Sequence, residues 1–112
     1  MKNIIYNMKL VDFAFKAIKK GEKDIEVRLN DEKRSKIKIG DTIIFRHLDT
    51  DEILEAKVIN LHKFNTFEEL FNRFDYKRIG VKKNDTYRIM DNFYSKEEQE
   101  KYGALGIEIE LI

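Results

Sequence analysis

A single α+β domain, built on a mostly antiparallel curved sheet or barrel with helical insertions, is the fold class this sequence predicts. Three observations carry that expectation. Segments 4–10, 24–29, 42–46, 52–64 and 105–111 have the two-residue alternation or the apolar content of strands. Helical patterns fall between some of them without regular alternation, which argues against a parallel sheet wrapped by crossover helices. The third is size: 112 residues suit one domain, so residues 1–112 are read as one unit with no linker, internal repeat or low-complexity segment.

Residues 4–10 open as a short strand in which Met8 and Leu10 alternate against Asn7 and Lys9. Asp12 is placed to accept a hydrogen bond from the free N–H groups that follow, as a helix cap does. Phe13, Ala14, Ala17 and Ile18 then form an apolar stripe, ended by Gly21 with Lys19 and Lys20 in the last turn. In segment 24–29, Ile25, Val27 and Leu29 face one way and Asp24, Glu26 and Arg28 the other. Asn30 and Asp31 break that strand, and Asp31 caps a short helical turn through Lys36. Gly40-Asp41 turns into the strand 42–46, and Asp49-Thr50-Asp51 makes a hairpin into 52–64. There Leu54, Ala56 and Val58 share one phase while Ile59 and Leu61 hold the other, a slip that predicts a bulge where the strand bends.

Thr66 with Glu69 is a capping box before the stripe Phe67, Leu70, Phe71 and Phe74. Residues 75–94 read as one or two short helices with loops. Ser95 with Glu98 is a second capping box, its helix stopping at Gly103. Leu105, Ile107, Ile109 and Leu111 alternate as a closing strand.

Composition narrows the function classes. Charged residues reach 38%, against roughly 25% in ordinary globular proteins, so the surface is dense in Lys and Glu. Eight Phe and five Tyr exclude a disordered chain. With no cysteine there is neither a disulfide framework nor a thiolate metal site. His47 and His62 lie 15 residues apart without carboxylates at ligand spacing, so no metal and no cofactor is expected, and each histidine reads as a strand residue. No apolar run approaches the roughly 18 residues of a membrane span, and the opening residues lack a signal peptide's apolar stretch. A cytoplasmic protein without membrane contact is the expectation. A net charge of +1 argues against a globally basic nucleic-acid binder. The charge is unevenly spread: residues 1–40 carry 11 Lys or Arg and 6 Asp or Glu, a balance of +5, and residues 41–112 carry 11 and 15, a balance of −4.

No phosphate loop, HExxH or nucleophile elbow is present. The constellation that stands out is Gly21-x-Lys23-x-x-Glu26-x-Arg28. Gly21 lets the chain reverse after the helix, Lys23 stands at the strand entrance, and Glu26 and Arg28 project from one face. A cation, an acceptor and a guanidinium so placed can clamp a base edge and a phosphate. On pattern alone, however, Asp24, Glu26 and Arg28 read first as the solvated face of an amphipathic strand, where ion pairs are common and contribute little.

The segments Met8-x-Leu10, Phe13, Ile18, and Gly21-x-Lys23-x-Ile25-Glu26-x-Arg28 resemble the opening signature of ASCH domains. Leu29 to Arg34, Ile39-Gly40-Asp41-x-Ile43-x-Phe45, and Tyr94-Ser95-x-Glu97-Glu98-x-Glu100-x-Tyr102-Gly103-x-Leu105-Gly106-Ile107 resemble the small stand-alone prokaryotic members. The resemblance runs in order along nearly the whole chain. It implies a PUA-like β-barrel with a cleft lined by Lys23, Glu26 and Arg28 that binds RNA or a nucleoside or nucleotide. It further implies that Tyr94, Ser95 and Tyr102 add stacking surface and hydroxyls, although Ser95 is equally a helix cap and Tyr102 equally a cover for the barrel end. Some ASCH relatives remove an acetyl group from N-acetylated cytidine, and Lys23 matches their catalytic lysine. Glu26 stands where they have the nucleophilic Thr, and Asp24 where they have a second Thr. Their later Glu has no clear counterpart among Glu68, Glu69 and Glu98. Deacetylation would require another division of labour, such as Lys23 and Glu26 activating water, and other relatives are ribonucleases. The same three residues therefore permit binding, deacylation or RNA cleavage.

Overall fold

In the computed structural model, which describes residues 2–112, five strands form one sheet in the order β1-β3-β4-β5-β2. These are β1 (Ile5–Leu10), β2 (Ile25–Leu29), β3 (Thr42–His47), β4 (Ile53–Phe64) and β5 (Ala104–Leu111). Only the β1–β3 pair is parallel; β3–β4, β4–β5 and β2–β5 are antiparallel. The helices are α1 (Asp12–Lys19), α2 (Phe67–Arg73), α3 (Tyr76–Ile79) and α4 (Lys96–Tyr102), with 3-10 turns at Arg34–Lys36 and Tyr87–Asn92. No helix among the described residues is long and apolar enough to cross a membrane.

β1 and β2 are the two free edges, and the curl of the sheet brings them within reach of each other. The long strand β4 makes that curl. Its first half, Ile53–Lys57, pairs with β3, while Ala56–Phe64 pairs with β5, and the register slips between Val58 and Asn60 where the sequence changes phase. A bulge adds a residue on one strand and strengthens the local twist, so it bends a sheet without breaking the ladder.

Two apolar cores result. Inside the curl lie Met8, Leu10, Phe15, Ile18, Ile43, Phe45, Val58, Leu105, Ile107 and Ile109. Outside it, α2, α3 and the 3-10 turn at Tyr87–Asn92 pack Phe67, Leu70, Phe74, Ile79 and Met90 against Ile25, Leu29 and Ala104. β2 and β5 are therefore covered on both faces, unlike the half-solvated strand that the alternation of 24–29 first suggests.

Local expectations fare variously. Both caps at the later helices are present: Thr66 Oγ1 accepts from the Glu69 N–H at 3.1 Å, and Ser95 with Glu98 forms a reciprocal capping box. Asp31 Oδ1 likewise accepts from the Arg34 N–H. Asp12 differs from expectation. It is the first helical residue, with Val11 at the cap position and no side-chain cap. Its carboxylate instead meets Lys16 at 3.2 Å and the buried His47 Nε2 at 2.8 Å. His47 Nδ1 accepts the Asp49 and Thr50 N–H groups, so Nε2 carries the proton and donates to Asp12. That tether sets the rotation of α1, so Phe15 and Ile18 point inward while Phe13 is exposed.

Asp41 ties down the first edge strand. Buried at the Gly40 turn, its carboxylate accepts from the Ile4 N–H at 2.9 Å and the Lys38 N–H at 2.8 Å. Asp41→Ala strands both donors and is expected to cost about 1–3 kcal/mol in denaturant unfolding. A loss under about 0.5 kcal/mol would show that water replaces the carboxylate there.

Candidate functional site

After α1 the chain turns at Gly21, whose φ of +82° suits glycine. The Lys23 N–H then donates to the Ala17 carbonyl, which aims the lysine at the start of β2. On β2, Glu26 lies opposite Ile107 and Arg28 opposite Leu105, so both side chains share the side of the inner core. Lys23 and Glu26 are only 5% and 4% exposed.

The three side chains form one line. Lys23 Nζ lies 3.0 Å from Glu26 Oε1 and donates to the Ile79 carbonyl at 2.9 Å. Arg28 Nε donates to Glu26 Oε2 at 2.7 Å. Arg28 Nη2 reaches across to the Lys9 carbonyl at 3.2 Å. Since Lys9 is on β1 and Arg28 on β2, the guanidinium closes the gap between the two free edges of the sheet.

Burial alone would push the Glu26 carboxyl up, but Lys23 and Arg28 outweigh that and hold it below the usual glutamate range. Burial likewise works against the Arg28 charge. Glu26, with the Tyr94 hydroxyl beside the guanidinium, outweighs it and raises the Arg28 pKa.

The segment between α2 and α4 covers the line. Gly80, at φ +73°, packs so tightly on the lysine stem that a Cβ there would stand 2.3 Å from Lys23 Cδ. An external clamp fastens this segment to the entrance of β2. The Asp24 N–H donates to the Arg78 carbonyl, and the Arg78 guanidinium makes two bonds to the Asp24 carboxylate at 3.0 and 3.2 Å. The Glu108 carboxylate lies 3.8 Å from Arg78 and accepts from His62 Nε2 at 2.8 Å. The pair with Asp24 raises the Arg78 pKa.

The remaining residues singled out from sequence divide. Tyr94 joins the site: its hydroxyl lies beside Arg28, its ring stacks on Phe67 at 5.9 Å, and the Arg34 guanidinium stands 5.9 Å from the ring centre. Ser95 uses its hydroxyl to cap α4. Tyr102 lines a separate hollow of about 370 Å³ with Asn30, Lys63 and Lys101. Of the three later glutamates, Glu98 completes the α4 capping box and Glu69 is held at the Thr66 cap. Glu68 lines a second hollow with Phe71 and Tyr76. Neither hollow includes Lys23, Glu26 or Arg28.

The carbonyls of Lys9 and Ile79, and Gly80, escape sequence reading. A glycine after an apolar residue signals a helix end, which Gly80 is. Nothing local shows that it rests on a lysine 57 positions earlier.

A curled five-stranded sheet with helical insertions, holding a buried Lys–Glu–Arg line where its edges meet, defines an α+β PUA-like barrel. The chain belongs to the ASCH domain family, whose sequence profile matches residues 8–112. It is similar to the crystal structure of the hypothetical protein PH0355, with 34% identity and a TM-score of 0.81 over 96% of this chain and 99% of that one. The solution structure of protein PF0455 from Pyrococcus furiosus is 28% identical, with a TM-score of 0.70 over 96% and 97% of the two chains. A mutant of ZmASCH from Zymomonas mobilis is 14% identical with a TM-score of 0.62, covering 95% of this chain and 67% of that one, a likeness of fold alone. No curated protein matches the chain.

Two predictions follow from the geometry. Glu26→Ala leaves two cations facing each other in a dry site and is expected to lower stability by about 3–5 kcal/mol, read by denaturant unfolding. A loss below about 1 kcal/mol would mean that the pair is solvated. The second concerns acid. Because the folded pKa of Glu26 lies below the ordinary 4.5, its contribution is complete above that pH and fades as pH falls through the lowered value. The stability gap between the native protein and Glu26→Gln is thus widest above pH 4.5 and narrows below it. A gap constant down to strong acid would place the carboxyl's titration elsewhere.

Proposed function

We propose that the chain binds RNA or a nucleoside or nucleotide, modified or not, at the Lys23–Glu26–Arg28 line. The observation that carries this reading is a cation–carboxylate–cation row held almost dry at the seam of the sheet. Buried ion pairs are poor devices for stability, because desolvation takes back most of their attraction, and apolar residues of like size do as well. Perturbed, buried charges gathered where two elements meet are the usual mark of a site. The part that reaches solvent is the side of Arg28, 17% exposed, next to Tyr94. A guanidinium beside an aromatic hydroxyl and ring suits a nucleobase edge, a stacked base or a phosphate. The near-neutral net charge of +1 supports a short ligand over a long duplex.

Hydrolysis of an N-acetylated cytidine, or cleavage of RNA, is the weaker reading. A general base works best with a pKa near the working pH. Glu26 is held in the opposite direction, below the usual carboxylate range, and both its oxygens are engaged by Lys23 and Arg28. This favours a carboxylate that organises cations over one that accepts a proton from water.

Arg28→Ala is expected to weaken binding of a short single-stranded RNA or nucleoside by about tenfold or more, the scale of one charge-assisted contact. Calorimetric titration, with circular dichroism to verify the fold, measures this. Unchanged affinity in a folded variant returns Arg28 to a purely structural role at the seam. Free cytidine released from N-acetylcytidine by the native protein and not by Lys23→Ala would instead establish the hydrolase.

A further inference from the structure

The charge count of the buried line is odd. Lys23 and Arg28 share a single carboxylate, Glu26, which gives one oxygen to each. Their other partners, the carbonyls of Ile79 and Lys9, are neutral. The nearest acid in sequence, Asp24, is turned to Arg78. Among the described residues, one positive charge is therefore left without a counter-charge in a place where water is scarce. A charge denied water demands a partner of opposite sign.

The free edge has one direction. Lys23 is shut in by Gly80 and the Ile79 carbonyl. Arg28 has its Nε and Nη2 committed, and among the described residues its Nη1 donates to no carbonyl or carboxylate. It is the more exposed of the two cations and lies beside the Tyr94 hydroxyl. Arg34, 5.9 Å from the centre of the Tyr94 ring, brings a second guanidinium to the same tyrosine, its own charge paired with Asp31 at 2.8 Å.

We propose that the ligand is an anion: the phosphate of a nucleotide docks on the free edge of Arg28 beside Tyr94 and supplies the charge that the Lys23–Glu26–Arg28 line lacks. The inference rests on the nucleotide reading above and sharpens it. It excludes a neutral nucleoside as the preferred ligand and assigns the phosphate, not the base, to the buried charges. Arg is suited to this because its planar donors match phosphate oxygens in pairs.

The test is a charge series read by calorimetry and thermal shift at constant ionic strength. The probes are inorganic phosphate, a set of nucleosides and the matching 5′-monophosphates. The native protein is expected to bind a monophosphate at least about tenfold more tightly than its nucleoside. Arg28→Gln, which leaves one cation to one carboxylate, should abolish that preference. Glu26→Gln, which leaves two cations unmatched, should enlarge it. Should Glu26→Gln fail to fold, Arg28→Gln decides alone. A nucleoside that binds as well as its monophosphate overturns the anion site while leaving base recognition standing. Phosphate binding that is lost in Arg28→Gln, with no preference among bases or for nucleotide over phosphate, supports the anion site and sinks the nucleotide reading. Silence from every probe, or a phosphate preference undiminished in Arg28→Gln, overturns the proposal.

Discussion

One carboxylate shared by two cations is the constraint on which the rest of this molecule turns. Glu26 receives Lys23 on one oxygen and Arg28 on the other, in a place nearly closed to solvent. Through Arg28 it joins the two free edges of the sheet, because the guanidinium also reaches the Lys9 carbonyl on β1. Through Lys23 it fixes the covering segment, because the ammonium also holds the Ile79 carbonyl. Seam and cover thus meet at a single side chain. Removing either cation leaves the other better paired, whereas removing the acid leaves both unpaired.

The surroundings keep that arrangement dry and rigid. Gly80 lies on the lysine stem where no larger residue fits. The Asp24–Arg78 pair pins α3 to the strand entrance from the outside, half exposed, so it contributes through geometry more than through energy. The second core under α2 covers the opposite face of β2. A strand sandwiched in this way shields charges that an open strand would leave to water, and charges so shielded act on one another more strongly than they would in water.

Much of the frame is legible in the sequence because its causes are local. The caps at Thr66 and Ser95 follow from three-residue spacings, and the bulge between Val58 and Asn60 from a change of apolar phase. The last strand's alternation places Leu105, Ile107 and Ile109 in the inner core. The first helix is less legible. Asp12 looks like a cap by sequence, but His47, 35 residues away, captures its carboxylate and turns the helix so that Phe15 rather than Phe13 is buried. Of the residues suggested for the site, Tyr94 lies beside Arg28, while Ser95 is taken up by its helix and Tyr102 faces another hollow.

The sequence by itself determined the class of fold, the order of its elements, and that Glu26 and Arg28 would share one strand face with Lys23 at the strand entrance, since alternate residues of a strand face the same side. It did not determine whether that face is wet. On pattern alone Asp24, Glu26 and Arg28 are an ordinary solvated strand face. Only the tertiary structure decided otherwise, by curling the sheet until β1 and β2 met and by laying residues 76–94 over the lysine. Burial is a property of what lies opposite a strand, and that is fixed by partners tens of residues away.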